Sequence, residues 1–226
     1  MNQLADRVWD DFDLIADLPD EGWNHNRHYH DWMLRQLPRQ LENALEVGCG
    51  KGGFCRRLAS RSQHVTGIDF SPRMIERAKV ESPHLSNVEF ILGDFHTWGG
   101  PMQSVNAVVS MATLHHLDPE LFAIRVNKFL RPGGTLVIVD LRRDAGLIDR
   151  CLSAIAIVVS LCIRLTRTAR LRPSEKSRAV WDKHAEVDHF LSFAEAKSLW
   201  QRLLPGSFVR RHLFWRYSVV WRKPSP

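Results

Sequence analysis

Short apolar runs alternate with helix-like segments over the first two thirds of the chain. The runs are rich in Val, Ile and Leu, which is typical of strands buried on both faces of a sheet; they lie at residues 41–47, 64–69, 88–92, 105–110 and 134–140. Between them, apolar residues recur at helical spacing in residues 52–61, 72–81 and 118–130. Strands that alternate with helices predict right-handed crossovers and a parallel, doubly wound α/β sheet.

Local signals mark where two of these helices begin and where one ends. Ser71 and Asp118 each precede a proline, and this order predicts an N-cap followed by proline at the first helical position. The segment Arg131-Pro132-Gly133-Gly134 is expected to end the helix over 118–130, because proline and glycine stop a helix.

The alternation stops after residue 140. Residues 141–190 predict a helical insertion, and a helix over 192–204 follows it. Residues 207–214 and 215–222 then predict two strands joined by a tight turn, one of them antiparallel to the others. We therefore expect a seven-stranded, mostly parallel sheet with the last strand antiparallel, helices on both faces, and a helical cap inserted after the fifth strand.

The length of 226 residues allows one α/β domain and excludes two enzymatic domains. We place the domain at residues 41–226 and interpret residues 1–40 as an N-terminal helical lid. The beginning of the lid contains several Asp residues and no long apolar run. It therefore does not predict a secretory signal, and we expect a cytoplasmic protein.

The cysteines and the charge narrow the range of partners. None of the cysteines forms a CxxC pair, so we expect reduced thiols and neither a metal site nor a disulfide framework; they are Cys49, Cys55, Cys151 and Cys162. The net charge of +6 leaves nucleic acid open as a partner. Because no aromatic-interleaved RNA-binding motif accompanies that charge, a small-molecule partner is favoured.

The most informative segment is Glu46-Val47-Gly48-Cys49-Gly50-Lys51-Gly52, which follows the first strand and precedes a helix. Glycines there let the backbone turn sharply and approach a ligand. Asp69 ends the next strand, where a carboxylate can accept both hydroxyls of a ribose. Gly93-Asp94-Phe95 ends the third strand, where a carboxylate and a ring can bracket an adenine. The alternative for either aspartate is a turn or helix-cap role.

These motifs resemble, in order, those of class I S-adenosylmethionine-dependent methyltransferases over residues 41–140. The matching segments are LEVGCGKG, VTGIDFSPRMI, GDF and LRPGGTLVIVD. Two features separate the loop from that of a dinucleotide dehydrogenase. Its glycines follow GxGxG rather than GxGxxG, and Glu46 would repel a pyrophosphate but receive the ammonium group of S-adenosylmethionine. The resemblance implies S-adenosylmethionine as the cofactor and S-adenosylhomocysteine as its product.

The resemblance also implies where the cofactor would be held. Its ammonium group would meet Glu46 and its ribose Asp69. Asp94 and Phe95 would fix the adenine amino group, other residues would pack on the adenine ring, and residues after the fourth strand would face the methionine part. The full set that we expect is Tyr29, Glu46, Gly48, Gly50, Asp69, Phe70, Met74, Asp94, Phe95, Ser110 and Met111.

A base is expected near the end of the fourth strand, because a nucleophile that starts protonated must lose its proton during methyl transfer. His115 and His116 follow that strand, and histidine titrates in the useful range. Adjacent residues on a turn cannot both point into one cleft, so we favour His115. The alternative for each histidine is to brace the following helix.

Two segments are candidates for covering the site. Residues 23–30 are crowded with rings; by resemblance they close over the cofactor, with Tyr29 at its carboxylate and His25 or His30 in the acceptor pocket, and a solvated helix is the alternative. Residues 151–163 are almost wholly apolar but shorter than the roughly twenty residues that span a bilayer. We expect them to cover an acceptor pocket, with core packing as the alternative.

Arginines flank this apolar segment between Arg142 and Arg172. They leave open a peripheral contact with an anionic membrane and the attraction of an acidic acceptor. The sequence as a whole predicts an enzyme that transfers a methyl group to O, N or S of a small, partly hydrophobic molecule. Methylation of RNA or protein, and a non-catalytic cofactor-binding regulator, are the alternatives.

Overall fold

The computed structural model describes residues 11–185 and 189–225. The strands of these ranges form one seven-stranded sheet: β1 (Leu41–Val47), β2 (Ser62–Asp69), β3 (Val88–Leu92), β4 (Val105–Met111), β5 (Leu130–Leu141), β6 (Phe208–His212) and β7 (Arg216–Arg222). Their order across the sheet is β3-β2-β1-β4-β5-β7-β6. β1 to β5 are parallel, and β7 is antiparallel to β5 and β6. The predicted sheet is confirmed.

Helices cover both faces of the sheet. They are α1 (residues 11–16), α2 (His25–Gln36), α3 (Gly53–Ala59), α4 (Pro72–Val80), α5 (Pro119–Phe129), α6 (Leu147–Thr168), α7 (Glu175–Ala185) and α8 (Phe193–Leu203), with a 3-10 turn at Leu114–His116. Ser71 and Asp118 cap α4 and α5 through their side chains, as predicted. Helices α2, α3 and α4 share one hydrophobic core with the sheet, and α5 and α8 share the other.

The two cores explain the continuous apolar runs in the sequence. In β1, Ala44 belongs to the core under α2 to α4, and Leu45 belongs to the core under α5 and α8. In β4, Val109 and Val108 divide in the same way. Because successive strand residues point to opposite faces, a strand covered on both sides is apolar at most of its positions.

Helix α5 ends just before Arg131-Pro132-Gly133-Gly134, as expected, but this segment is itself the first part of β5, which was expected to begin at residue 134. Helix α5 ends at Phe129, and β5 begins at Leu130, which pairs with Val105. The register then shifts between Val105 and Ala107. An irregular strand end of this kind tolerates Pro132 and Gly133, because it needs fewer regular ladder hydrogen bonds.

The closing pair of strands is shorter than expected, because a turn takes up the middle. Phe214 and Trp215 in this turn both have φ of 55°, a left-handed conformation that is uncommon for large side chains. Phe214 is held there by packing, since its ring is buried against Trp23 and stacked on His25.

The insertion after β5 consists of α6 and α7. The two ends of this insertion lie next to each other. The amide of Arg143 donates to the carbonyl oxygen of Leu191 at 3.0 Å. Contrary to expectation, most of the apolar residues of 151–163 do not cover a pocket: Ile155, Ile157 and Val158 are each more than half exposed. Among the described residues, no helix is long and apolar enough to cross a membrane.

Candidate active site

The glycine loop after β1 has a backbone that other residues would strain. Gly48, Gly50 and Gly52 have φ of 72°, 50° and 72°, the left-handed region in which glycine has no steric cost. A Cβ at Gly52 would lie 2.6 Å from the ring of Phe90, and one at Gly48 would lie 2.1 Å from the side chain of Thr113. The loop therefore depends on glycine for both its turn and its packing.

Two carboxylates meet at this loop, as predicted. Asp69 at the end of β2 accepts hydrogen bonds from the backbone amides of Gly50 at 2.8 Å and Ser71 at 3.0 Å. Burial raises the pKa of Asp69, although these hydrogen bonds oppose the shift. Glu46 near the end of β1 is 3% exposed. Burial raises the pKa of Glu46 to about 8, although hydrogen bonds from Cys55 oppose the shift.

The residues expected around the adenine are divided between the loop and the core. Met74 lies beside the loop, since a Cβ at Gly50 would be 3.9 Å from its sulfur, and the ring of Phe70 packs edge-on against Phe12 of α1. Phe95 is buried against other core rings. Its ring is thus part of the core rather than a wall for adenine.

Asp94, Ser110 and Met111 already have structural contacts. The exposed Asp94 accepts a hydrogen bond from the amide of His96 and forms a turn. The hydroxyl of Ser110 donates to the carbonyl oxygen of Val47 at 2.9 Å and ties β4 to β1. Met111 is buried in the core under α2 to α4. Each lies near a strand end at the same edge of the sheet as the glycine loop.

His115 forms a close pair with a carboxylate that the sequence interpretation missed. Its Nδ1 lies 2.8 Å from Oδ1 of Asp140, near the end of β5, and both side chains are almost fully buried. They line a cavity of about 190 Å³ together with Tyr217, Trp200 and apolar side chains. The signal for Asp140 was present in the sequence, because it is an acidic residue at the carboxyl end of a buried strand.

His116 lies beside His115 but has different neighbours. The two rings are 4.0 Å apart, and the ring of His116 contacts His184 of α7 and Phe12 of α1. Burial, together with the neighbouring histidines, lowers the pKa of His116 to about 2. His116 is therefore neutral at physiological pH, and α1 and α7 meet over it.

Residues of α2 expected at the ligand contact other parts of the protein. The hydroxyl of Tyr29 donates to the carbonyl oxygen of Leu213, in the turn between β6 and β7, at 2.6 Å. His25 lies 3.0 Å from the hydroxyl of Ser160 on α6. His30 packs against Phe54 of α3, so α2 braces several elements.

A buried guanidinium lies at the start of β7, and no sequence motif indicated it. Arg216 pairs with Leu141 at the end of β5, and it donates to the carbonyl oxygen of Phe214 at 3.1 Å and to Oδ1 of Asn26 at 2.8 Å. Burial lowers the pKa of Arg216 to about 10, so it stays protonated at neutral pH. Its charge lies at the same edge of the sheet as Asp140.

Comparison with known proteins places this site in a family. Residues 45–138 match the family described as methyltransferase domain. An uncharacterized methyltransferase of Mycobacterium tuberculosis is 29% identical over 208 residues, covering 91% of this chain and 99% of that protein. A ubiquinone biosynthesis O-methyltransferase of Xylella fastidiosa is 26% identical over 166 residues, covering 69% of this chain and 64% of that protein.

Solved structures show the same fold. The DhpI complex with S-adenosylhomocysteine superposes with a TM-score of 0.64 at 20% identity, over all of both chains. Fold and matches together define a Rossmann-like methyltransferase. The protein is a class I S-adenosylmethionine-dependent methyltransferase, as the motifs from 41 to 140 predicted.

The site fits S-adenosylmethionine, which is the cofactor of this enzyme. Oε2 of Glu46 is buried and has no hydrogen-bond partner among the described residues, so it can accept a bond from the cofactor's ammonium group. The carboxylate oxygens of Asp69 accept hydrogen bonds from the amides of Gly50, Ser71 and Phe70 and keep further lone pairs for ribose hydroxyls. Within the described ranges, no group of His, Cys, Asp or Glu could hold a metal ion.

Proposed function

We propose that this methyltransferase acts on an O, N or S atom of a small, partly hydrophobic molecule, with His115 as the general base. The pairing of His115 with Asp140 beside a largely apolar cavity is the observation that supports the proposal. The cavity's volume of about 190 Å³ suits a small group. The Xylella fastidiosa relative, named for O-methylation in ubiquinone biosynthesis, agrees with such an acceptor.

S-adenosylmethionine supplies an electrophilic methyl group on a sulfonium. Held by Glu46 and Asp69, it would supply the methyl carbon to the acceptor atom as the carbon–sulfur bond breaks, with the electrons of that bond passing to sulfur. The proton of the acceptor passes to His115, and the imidazolium is stabilised by Asp140 in a buried environment where that ion pair is strengthened. The Nδ1–H of His115 donated to Asp140 also fixes the ring orientation.

The acceptor class is tested with tritiated S-adenosylmethionine and a cell extract separated into small-molecule, RNA and protein fractions. We expect label in the small-molecule fraction, extractable into an organic solvent. Label confined to RNA or to protein would overturn the proposal, and RNA methylation is the alternative that the net charge of +6 favours.

The base is tested with His115→Gln once a labelled acceptor is in hand. General-base catalysis contributes roughly 10²- to 10⁴-fold, so kcat should fall by that factor while the Kd for S-adenosylmethionine is unchanged. Asp140→Asn should also lower kcat, because the amide no longer stabilises the imidazolium. His84→Gln, at an exposed histidine after α4, is the matched control. Full activity of His115→Gln would reject His115 as the base.

A further inference from the structure

Within the described ranges, α6 carries more exposed large apolar side chains than any other helix, and most of them lie on its outer face. This outer face consists of residues at spacings of three and four along the solvent side of α6: Leu147, Ile148, Cys151, Ala154, Ile155, Val158, Leu161, Cys162 and Leu165. Leu147, Ile148 and Val158 are 77%, 68% and 61% exposed. A contiguous apolar surface of this kind marks a contact site rather than ordinary surface scatter.

Helix α6 is apolar on two sides, unlike an ordinary surface helix, which turns a single apolar stripe inward. Its inner side packs Ala156, Val159 and Ile163 on the core under α2 to α4 and also makes polar contacts. Ser160 bonds to His25, Ser153 donates to Asp144, and Arg164 reaches Glu21. Because the inner side is already satisfied by these contacts, the outer apolar side is not needed to hold α6 on the domain. Core packing therefore does not account for it.

Charge on the outer side is confined to the two ends of α6, and it is all positive. Arg150 lies in the first turn, and Arg167, Arg170 and Arg172 come after Leu165, the last residue of the outer face; all four arginines are exposed. The acidic residue within α6 is Asp149, which is buried and paired with Arg142 at 2.8 Å. The outer face thus combines an uncharged apolar middle with basic ends.

This arrangement suits an anionic lipid surface better than a second copy of the chain. A symmetric dimer packs the same face on both subunits. Whether two α6 helices ran parallel or antiparallel, arginines at the ends of one would meet arginines of the other, and the outer face has no acidic residue to neutralise them. Anionic headgroups instead pair with arginines at both ends while acyl chains receive the middle.

We propose that α6 is a peripheral membrane-docking helix that lies in the plane of an anionic bilayer surface. Its 22 residues span about 33 Å at the α-helical rise, so the whole helix can lie flat. Ile155 and Val158 enter the acyl boundary, and Arg150 and Arg167 extend to lipid phosphates at the two ends. The bilayer surface would lie beside the α2 and α6 side of the domain.

The proposal is tested by flotation of the full chain with vesicles of phosphatidylcholine alone or mixed with phosphatidylglycerol. We expect flotation with the mixed vesicles, and weaker flotation as NaCl is raised. The double variant Ile155→Glu, Val158→Glu should lose at least nine tenths of the bound fraction. Arg167→Gln and Arg170→Gln should each lower the partition coefficient roughly fivefold, the factor that corresponds to one basic residue at such a surface.

A matched control is Val80→Glu, Ile124→Glu. It makes the same chemical change at residues that are 64% and 65% exposed on α4 and α5, and it should float like wild type. S-adenosylmethionine binding by all variants checks that they fold. No flotation of wild type, equal loss in the control, or a wild-type dimer that Ile155→Glu, Val158→Glu converts to a monomer would overturn the proposal.

Discussion

At the scale of single residues, the glycine loop after β1 contains positions where any side chain larger than a hydrogen atom would be costly. Gly52 combines a φ of 72° with a Phe90 ring atom 2.6 Å from where a Cβ would stand. Gly206 has a similar φ of 82° but open space around it. The two positions therefore separate the cost of backbone conformation from the cost of a steric clash.

Gly52→Ala should lower the free energy of unfolding by about 2–5 kcal/mol, from left-handed backbone strain plus overpacking. Gly206→Ala should cost only about 1–2 kcal/mol, because it carries the backbone strain alone. Urea unfolding of both variants measures the difference. Equal losses would show that the Phe90 ring moves aside without cost.

Glu46 should make stability depend on pH when no cofactor is bound. Its pKa is raised from 4.5 to about 8 by burial, so between those values the folded chain holds a proton that the unfolded chain releases. The free energy of unfolding should therefore fall as pH rises from about 4.5 to about 8. Glu46→Gln removes this contribution, so the variant should gain stability relative to wild type between pH 5 and pH 8.

Urea unfolding at pH 5, 6.5 and 8 measures this effect, with Glu89→Gln on the exposed side of β3 as the control. The control should show no such gain. If the free energy of unfolding of Glu46→Gln changes with pH in the same way as that of wild type, this would contradict a buried, protonated Glu46. The same variant should bind S-adenosylmethionine more weakly, because the amide carries no charge for the ammonium group.

At the scale of elements, α8 is anchored by a capping box where the insertion returns to the domain. Ser192 accepts from the amide of Glu195, and the Glu195 carboxylate accepts from the amide of Ser192. The same carboxylate pairs with Arg143 at the other end of the insertion. The N-terminus of α8 therefore contacts both ends of the inserted segment.

Ser192→Ala should cost about 1 kcal/mol of unfolding free energy, the usual value of a lost N-cap. Arg143→Gln removes the exposed ion pair but keeps the cap, so it should change stability by less than about 0.5 kcal/mol. Thermal or urea unfolding distinguishes the two. A larger effect of Arg143→Gln would mean that the ion pair, rather than the cap, anchors the insertion.

Sequence patterns predicted both ends of each of the strands β1 to β4 to within two residues, because strands buried on both faces are apolar at most of their positions. They were wrong at the start of β5, since pairing with Val105 outweighed the local preference of Pro132 and Gly133 for a turn. They were also wrong about the exposed side of α6. Periodicity shows that a helix has an apolar side, but only packing shows which way that side faces.

At the scale of the whole molecule, cofactor binding should stabilise the fold. S-adenosylhomocysteine at about a hundred times its Kd contributes about 2.7 kcal/mol, which raises the melting temperature by roughly 5–10 °C for a chain of this length. NAD⁺ at the same concentration should leave the melting temperature unchanged at pH 9, above the pKa of about 8 of Glu46, because the ionised carboxylate repels a pyrophosphate at the loop. Differential scanning fluorimetry measures both, and an equal shift with NAD⁺ would contradict the charge argument.

Local sequence was sufficient to predict where the glycine loop, Glu46 and Asp69 lie, because neighbouring residues determine where a strand ends, where the chain turns tightly and where a helix begins. Only folding brings together His115 and Asp140, which are 25 residues apart in the chain, and only folding decides which apolar residues of α6 stay exposed. Those outcomes depend on strand order and on helix packing. Such contacts join residues distant in the chain, and their energies arise only when the sheet is assembled.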